Sequence, residues 1–135
     1  MDILIKKLVK KYKTNCPFEL AEHLNIIVKF EDLGKITKGF FHRRLRRNYI
    51  VLHCDETYLR QRFTCAHELG HYIFDRGTSY FMIQRNTLSL PGKLERRADH
   101  FAIKLLTFQK YTRSGESVEE FFRRLGIPTD MCKYY

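Results

Sequence analysis

His67-Glu68-Leu69-Gly70-His71 restricts what this chain can fold into more than any other stretch. On an α-helix, residues four apart lie about 40° from one another around the axis. His67 and His71 therefore stack on one face, where two imidazole nitrogens can reach one metal ion. Glu68 lies about 100° further round, close enough to touch a water on that ion without ligating it. Two neutral nitrogen donors suit Zn2+, and a carboxylate beside an open coordination position suits a general base.

The competing reading is a pair of surface histidines on an ordinary amphipathic helix. The neighbouring residues argue against it. Cys65, Ala66, Leu69, Gly70, Tyr72 and Ile73 fill the far arc, and only the arc of Thr64, Glu68 and His71 is polar. Such a helix is buried along most of its girth, so its polar arc lines a cleft. Gly70 weakens the helix and removes a side chain, which points to close approach by another backbone.

Two histidines do not hold zinc tightly, so a third protein ligand is required. An H-x-x-G-x-x-H continuation fails, because Phe74 stands where glycine is needed. The next strong helical pattern, over residues 93–106, carries its apolar stripe on Leu94, Ala98, Phe101, Ala102 and Leu105. Glu95 and Asp99 share a face beside that stripe, where a carboxylate needs a strong partner. Glu95 is the expected ligand and completes a His2Glu set. Asp99 is placed to accept the free ring N–H of a ligand histidine, His67 first, and so to fix its tautomer. Ala98 between them lets the two helices approach. The alternative is a surface ion pair of these carboxylates with Arg96 or Arg97. Asp75, four residues beyond His71, could back the metal site but reads first as an exposed residue of the last helical turn, and His42, His53 and Cys54 as structural.

The remainder of the chain reads as an α+β fold in one domain, 1–135: a minimal zincin-like arrangement. A small, mostly antiparallel sheet of about three strands packs on the central helix and the second ligand-bearing helix. Helices are expected over residues 2–12 and 18–24, and strands over 26–30, 38–43 and 48–53, the last two forming a hairpin around 44–47. Asp55 or Glu56 is the expected cap of the central helix. Residues 76–92 form a long connection suited to a wall or lid. Ser117 and Glu120 make a capping box for a helix that Gly126 ends.

The 135 residues carry a net charge of +10. Attraction to nucleic acid is one reading of that charge, but no nucleic-acid-binding motif accompanies it, and solvated helix and hairpin faces are favoured. No apolar run spans a membrane and no secretory h-region opens the chain, so a cytoplasmic protein with no membrane partner is expected. The four cysteines show no C-x-x-C pairing, which favours reduced, mostly buried thiols over disulfides or a thiolate metal site.

Two motifs in order carry a resemblance. Gln61-Arg-Phe-Thr-Cys-Ala-His-Glu-Leu-Gly-His-Tyr-Ile and Glu95-x-x-Ala98-Asp99-x-Phe101-Ala102-x-x-Leu105-Leu106 resemble the ImmA/IrrE family of zinc metallopeptidases, in the glutamate-zincin group. Pro17-Phe-Glu-Leu-Ala-Glu-His-Leu24, Gly39 and the strand near residue 50 extend the likeness to about residues 14–130. The family usually has Asn where Asp99 stands, and Leu-Leu-Met-Pro where this chain has Leu-Leu-Thr-Phe. An appended helix-turn-helix domain is not expected from these 135 residues. The resemblance implies a protein substrate, typically a helix-turn-helix repressor of a mobile element or stress response.

The resulting expectation is a zinc endopeptidase in which His67, His71 and Glu95 hold metal and Glu68 is the base. An extended substrate is expected along Tyr49, Ile50, Val51, Leu52 and His53 by strand addition. Tyr72, Tyr80, Tyr111 and His42 are candidate oxyanion donors, with Tyr72 and Tyr80 foremost. A repressor-binding regulator that does not cut, a toxin–antitoxin component and a nucleic-acid-associated basic protein are the alternatives.

Overall fold

The computed structural model describes residues 1–75 and 91–135. The expected wall over 76–92, with Tyr80, lies outside the described residues, apart from Pro91 and Gly92. Within them the order is α1 (Asp2–Tyr12), α2 (Pro17–His23), β1 (Ile26–Glu31), β2 (Gly39–Arg44), β3 (Arg47–His53) and α3 (Tyr58–Asp75). Then follow α4 (Pro91–Leu106), α5 (Val118–Leu125) and a 3₁₀ turn (Thr129–Tyr134).

Proline starts two of these helices, α2 and α4, as its fixed φ and missing N–H favour. The helix expected to begin at Lys93 therefore begins at Pro91. The cap of α3 is Thr57 rather than Asp55 or Glu56, since the Thr57 hydroxyl accepts from the Arg60 N–H at 3.3 Å. Glu56 instead pairs with Lys38 at 2.8 Å, and the Asp55 N–H bonds the His53 ring. Ser117 caps α5 as its motif requires, accepting from the Glu120 N–H.

The α+β class with three strands holds, but the sheet is mixed. The strand order is β1-β3-β2, with β1 parallel and β2 antiparallel to β3. One of the two pairings is therefore parallel, where a mostly antiparallel sheet was expected. Between β2 and β3, Leu45 and Arg46 both take left-handed φ values, 51° and 65°, as a tight two-residue hairpin turn requires.

The central position of β3 overturns the expected substrate strand. Tyr49, Ile50, Val51, Leu52 and His53 are paired on one edge with β1, Tyr49 opposite Ile27 and His53 opposite Glu31. On the other edge Tyr49 faces His42 and Leu52 faces Gly39. No backbone edge is left to accept another strand. The physical reason is burial: Ile50, Val51, Leu52 and His53 are consecutive and all buried. A run covered on both faces belongs inside a sheet.

The core lies between the sheet and the helices. Ile50, Leu52 and Phe41 meet Cys65, Ala66 and Leu69 of α3, and Phe101, Ala102 and Leu105 of α4 lie behind. The two helices touch closely at Gly70, where an added Cβ would lie 3.0 Å from the Ala98 Cα. A second close approach joins β2 to α3, since a Cβ on Gly39 would lie 2.6 Å from the Thr64 Cγ2. These two contacts set the spacing of the walls around the polar arc of α3. All four cysteines are free, but only Cys65 is buried and Cys54 is exposed. Among the described residues no helix is long and apolar enough to cross a membrane.

Candidate metal centre

The close contact of α3 with α4 brings the polar arc of one helix against the Glu95–Asp99 face of the other. His67 and His71 turn their rings edge to face, with centroids 4.8 Å apart. Their Nε2 atoms converge on one carboxylate: His67 lies 3.0 Å from Glu95 Oε2, and His71 lies 2.7 Å from Glu95 Oε1. One ligating atom from each of the three residues falls within 4.8 Å of the others.

The second nitrogen of each ring is held. His67 Nδ1 lies 2.8 Å from Asp99 Oδ1, the partner expected from the sequence. His71 Nδ1 lies 3.0 Å from Asp75 Oδ2. Asp75 is therefore not the exposed end of a helix but 1% exposed, and its other oxygen takes the Arg97 guanidinium. Its i+4 spacing from His71, on a helix apolar nearly all round, was the available signal. Arg97 itself carried no such signal, because only the packing of α4 brings it to Asp75. Each imidazole thus donates Nδ1–H to an aspartate and presents Nε2 to the common point, the arrangement found around protein-bound metals.

The electrostatics fit a cation. Burial pulls the His67 imidazole down, but the hydrogen bonds to Asp99 and Glu95 outweigh it and push it up to about 10. His71 is also raised: burial opposes, and the Glu95 hydrogen bond and the Glu68 charge prevail. For Glu95 burial acts upward, but the two imidazoles hold its carboxyl far below the usual range. The cluster thus favours positive charge between the rings and the carboxylates. Two imidazoles and one carboxylate, each otherwise oriented, are a chemically apt set for a divalent ion such as zinc.

Glu68 is 6% exposed, and burial pushes its carboxyl up against the pull of His67 and His71. It opens onto a cavity of about 520 Å³ together with His67, Glu95 and Asp99. Its lining also includes Thr64, Phe63 and Arg60 of α3, with Lys38, Gly39, Glu56 and Pro128 from other elements.

The other sequence candidates lie elsewhere. Tyr72 packs its ring edge 5.9 Å from Phe41 and is not among the residues lining this cavity. His42 stacks on Tyr49 at 4.9 Å, and Tyr111 is 77% exposed beside a different cavity. His53, Cys54 and Asp55 also cluster. However, His53 Nε2 donates to the Gly34 carbonyl at 2.7 Å and Nδ1 accepts the Asp55 N–H, so this ring is a loop clamp.

Comparison with known proteins adds an independent line. Residues 21–113 match the family model described as the IrrE N-terminal-like domain. "Uncharacterized immunity region protein 2" of Bacillus phage phi105 is 32% identical over 133 residues, covering 95% of this chain and 84% of that protein. "Metallopeptidase ImmA" of Bacillus subtilis (strain 168) is 26% identical over 136 residues, covering 96% of this chain and 80% of that protein. No solved structure matches the chain significantly.

Proposed function

The chain belongs to the IrrE N-terminal-like metallopeptidase family, and from that premise we propose that it is a zinc endopeptidase acting on a helix-turn-helix repressor. The observation that carries the chemistry is the convergence of His67, His71 and Glu95 beside Glu68, at the head of a cavity. A zinc ion held by those three residues would acidify a water and polarise the scissile carbonyl. Asp99 and Asp75 keep the His67 and His71 rings turned toward the common point. Glu68 takes the proton of the attacking water on its carboxylate and returns it to the leaving nitrogen. Phe63 and Pro128 supply apolar lining to the cavity, beside which an extended peptide would lie.

The repressor is favoured as substrate by the resemblance to the ImmA/IrrE family. The phage relative's name, which refers to an immunity region, also supports a setting in a mobile element. The test is incubation of the zinc-loaded chain with a helix-turn-helix repressor encoded beside it, read by mass spectrometry. Wild-type protein yields two fragments. Glu68→Gln binds zinc as wild type does and yields none, with loss of at least about 10²-fold expected for removal of a general base. A repressor left whole by wild-type protein, or cut equally well by Glu68→Gln, refutes this function.

A further inference from the structure

The cavity beside the candidate metal centre is lined by residues from successive turns of α3 toward its start, among them Thr64 and Arg60. Arg60, Thr64, His67 and His71 recur at intervals of four, three and four, so they form one stripe along that helix. Arg60 stands seven residues before His67, about 10.5 Å along the axis at the rise of an α-helix. Among the described residues, Lys38 and Arg60 are the Lys and Arg side chains that line the cavity. Lys38 is neutralised by Glu56 at 2.8 Å. The Arg60 guanidinium makes no hydrogen bond or ion pair with any described residue, and it is exposed to the cavity mouth. The acidic groups at the other end are all engaged around the histidines or buried beside them. Among the described residues, Arg60 is therefore the cation of this cleft without a partner side chain, and its Cα lies two helical turns before that of His67.

We propose that Arg60 is a specificity-determining residue that binds a substrate carboxylate about three residues from the scissile bond, on one side only. The distance follows from geometry: an extended peptide advances about 3.3 Å per residue, so about 10 Å spans three. The chemistry follows from the guanidinium fork, which matches a carboxylate in two parallel hydrogen bonds. The carboxylate is either an internal Asp or Glu side chain or the free C-terminus of a short peptide. Phe63, between Arg60 and His67 along α3, also lines the cavity, so an apolar residue fits between the carboxylate and the cut. This inference rests on the peptidase reading above.

The experiment uses the zinc-loaded full chain and a library of quenched fluorogenic decapeptides, amidated at the C-terminus, with Glu or Gln fixed at each position in turn. A second set places the free or amidated C-terminus at each distance from the cut, which separates the two carboxylate sources. Wild-type protein prefers Glu over Gln about tenfold in kcat/KM at one position three residues from the cut. Arg60→Gln abolishes that preference, and Arg60→Glu turns it into a preference for Lys. A Glu or free-C-terminus preference unchanged in Arg60→Gln, or neither preference in wild type while peptides are cut, overturns the assignment and leaves the peptidase reading intact. If wild type cuts no library peptide but cuts the repressor, the peptidase reading stands; if it cuts neither, that reading fails. Arg60 is then judged by fluorescence anisotropy of the labelled library on Glu68→Gln protein. Acidic peptides that bind Glu68→Gln but not the Glu68→Gln/Arg60→Gln double variant support it, and equal binding to both overturns it. Arg60 is exposed, so matched thermal melts of the variants confirm that folding is unchanged.

Discussion

Asp75 and Asp99 perform one task for two histidines from different positions. Asp99 reaches His67 from the neighbouring helix, whereas Asp75 reaches His71 from the same helix, one turn on. Both accept an Nδ1–H and so leave Nε2 as the ligating nitrogen. Asp75 is the more deeply buried of the two and is itself held by Arg97. A carboxylate that is 1% exposed is tolerable only with such partners. Asp75→Asn keeps the shape but no longer balances the charge of Arg97 or fixes the His71 tautomer. We expect it to weaken zinc binding about 10–100-fold, measured by competition with a chromophoric chelator. Unchanged affinity would mean that Asp75 serves packing alone.

Helices α3 and α4 carry the whole candidate site, so their separation is a functional quantity. Gly70 and Ala98 set it. An added Cβ at Gly70 meets the Ala98 Cα at 3.0 Å and its Cβ and carbonyl oxygen at 3.3 Å. Two effects compete in Gly70→Ala. Alanine improves helix propensity by up to about 1 kcal/mol. Overpacking of a close helix pair costs roughly 1–3 kcal/mol. The second prevails because the neighbour is backbone and cannot rotate away. The variant is expected to lose about 1–2 kcal/mol in urea unfolding and to bind zinc more weakly, since Glu95 moves away from His67 and His71. A variant as stable as wild type would show that the helices separate freely.

For the molecule as a whole, the cluster joins α3 and α4, with candidate metal ligands at residues 67, 71 and 95. A metal in excess of its dissociation constant by 1,000-fold adds about 4 kcal/mol to folding stability. Chelation is therefore expected to lower Tm, and the size of the drop depends on pH. The His67 imidazole is raised from about 6.5 to about 10 in the metal-free protein. Its contribution to apo stability is fully present below pH 6.5 and is lost as pH rises through about 10. Metal needs the unprotonated ring, so metal affinity rises over the same interval. The difference in Tm between zinc-loaded and chelated protein should grow from pH 6 to pH 9, and a difference that shrinks would contradict the assignment. What the sequence determined by itself is whatever local periodicity encodes. Helical spacing put His67 and His71 on one face and Glu95 and Asp99 on another, and turn and capping residues bounded most elements. Chain order, however, does not say which strand lies in the middle of a sheet. Residues 49–53 look like a good edge in isolation, yet their burial on both faces puts them between β1 and β2. Nor does it say which end of a helix is covered. Asp75 was legible as one turn beyond His71 on the same helix, but only the packing of α4 and Arg97 across it buries it and balances its charge. Contacts between elements distant in sequence arise from how faces are buried together, and that is decided only when the chain is packed.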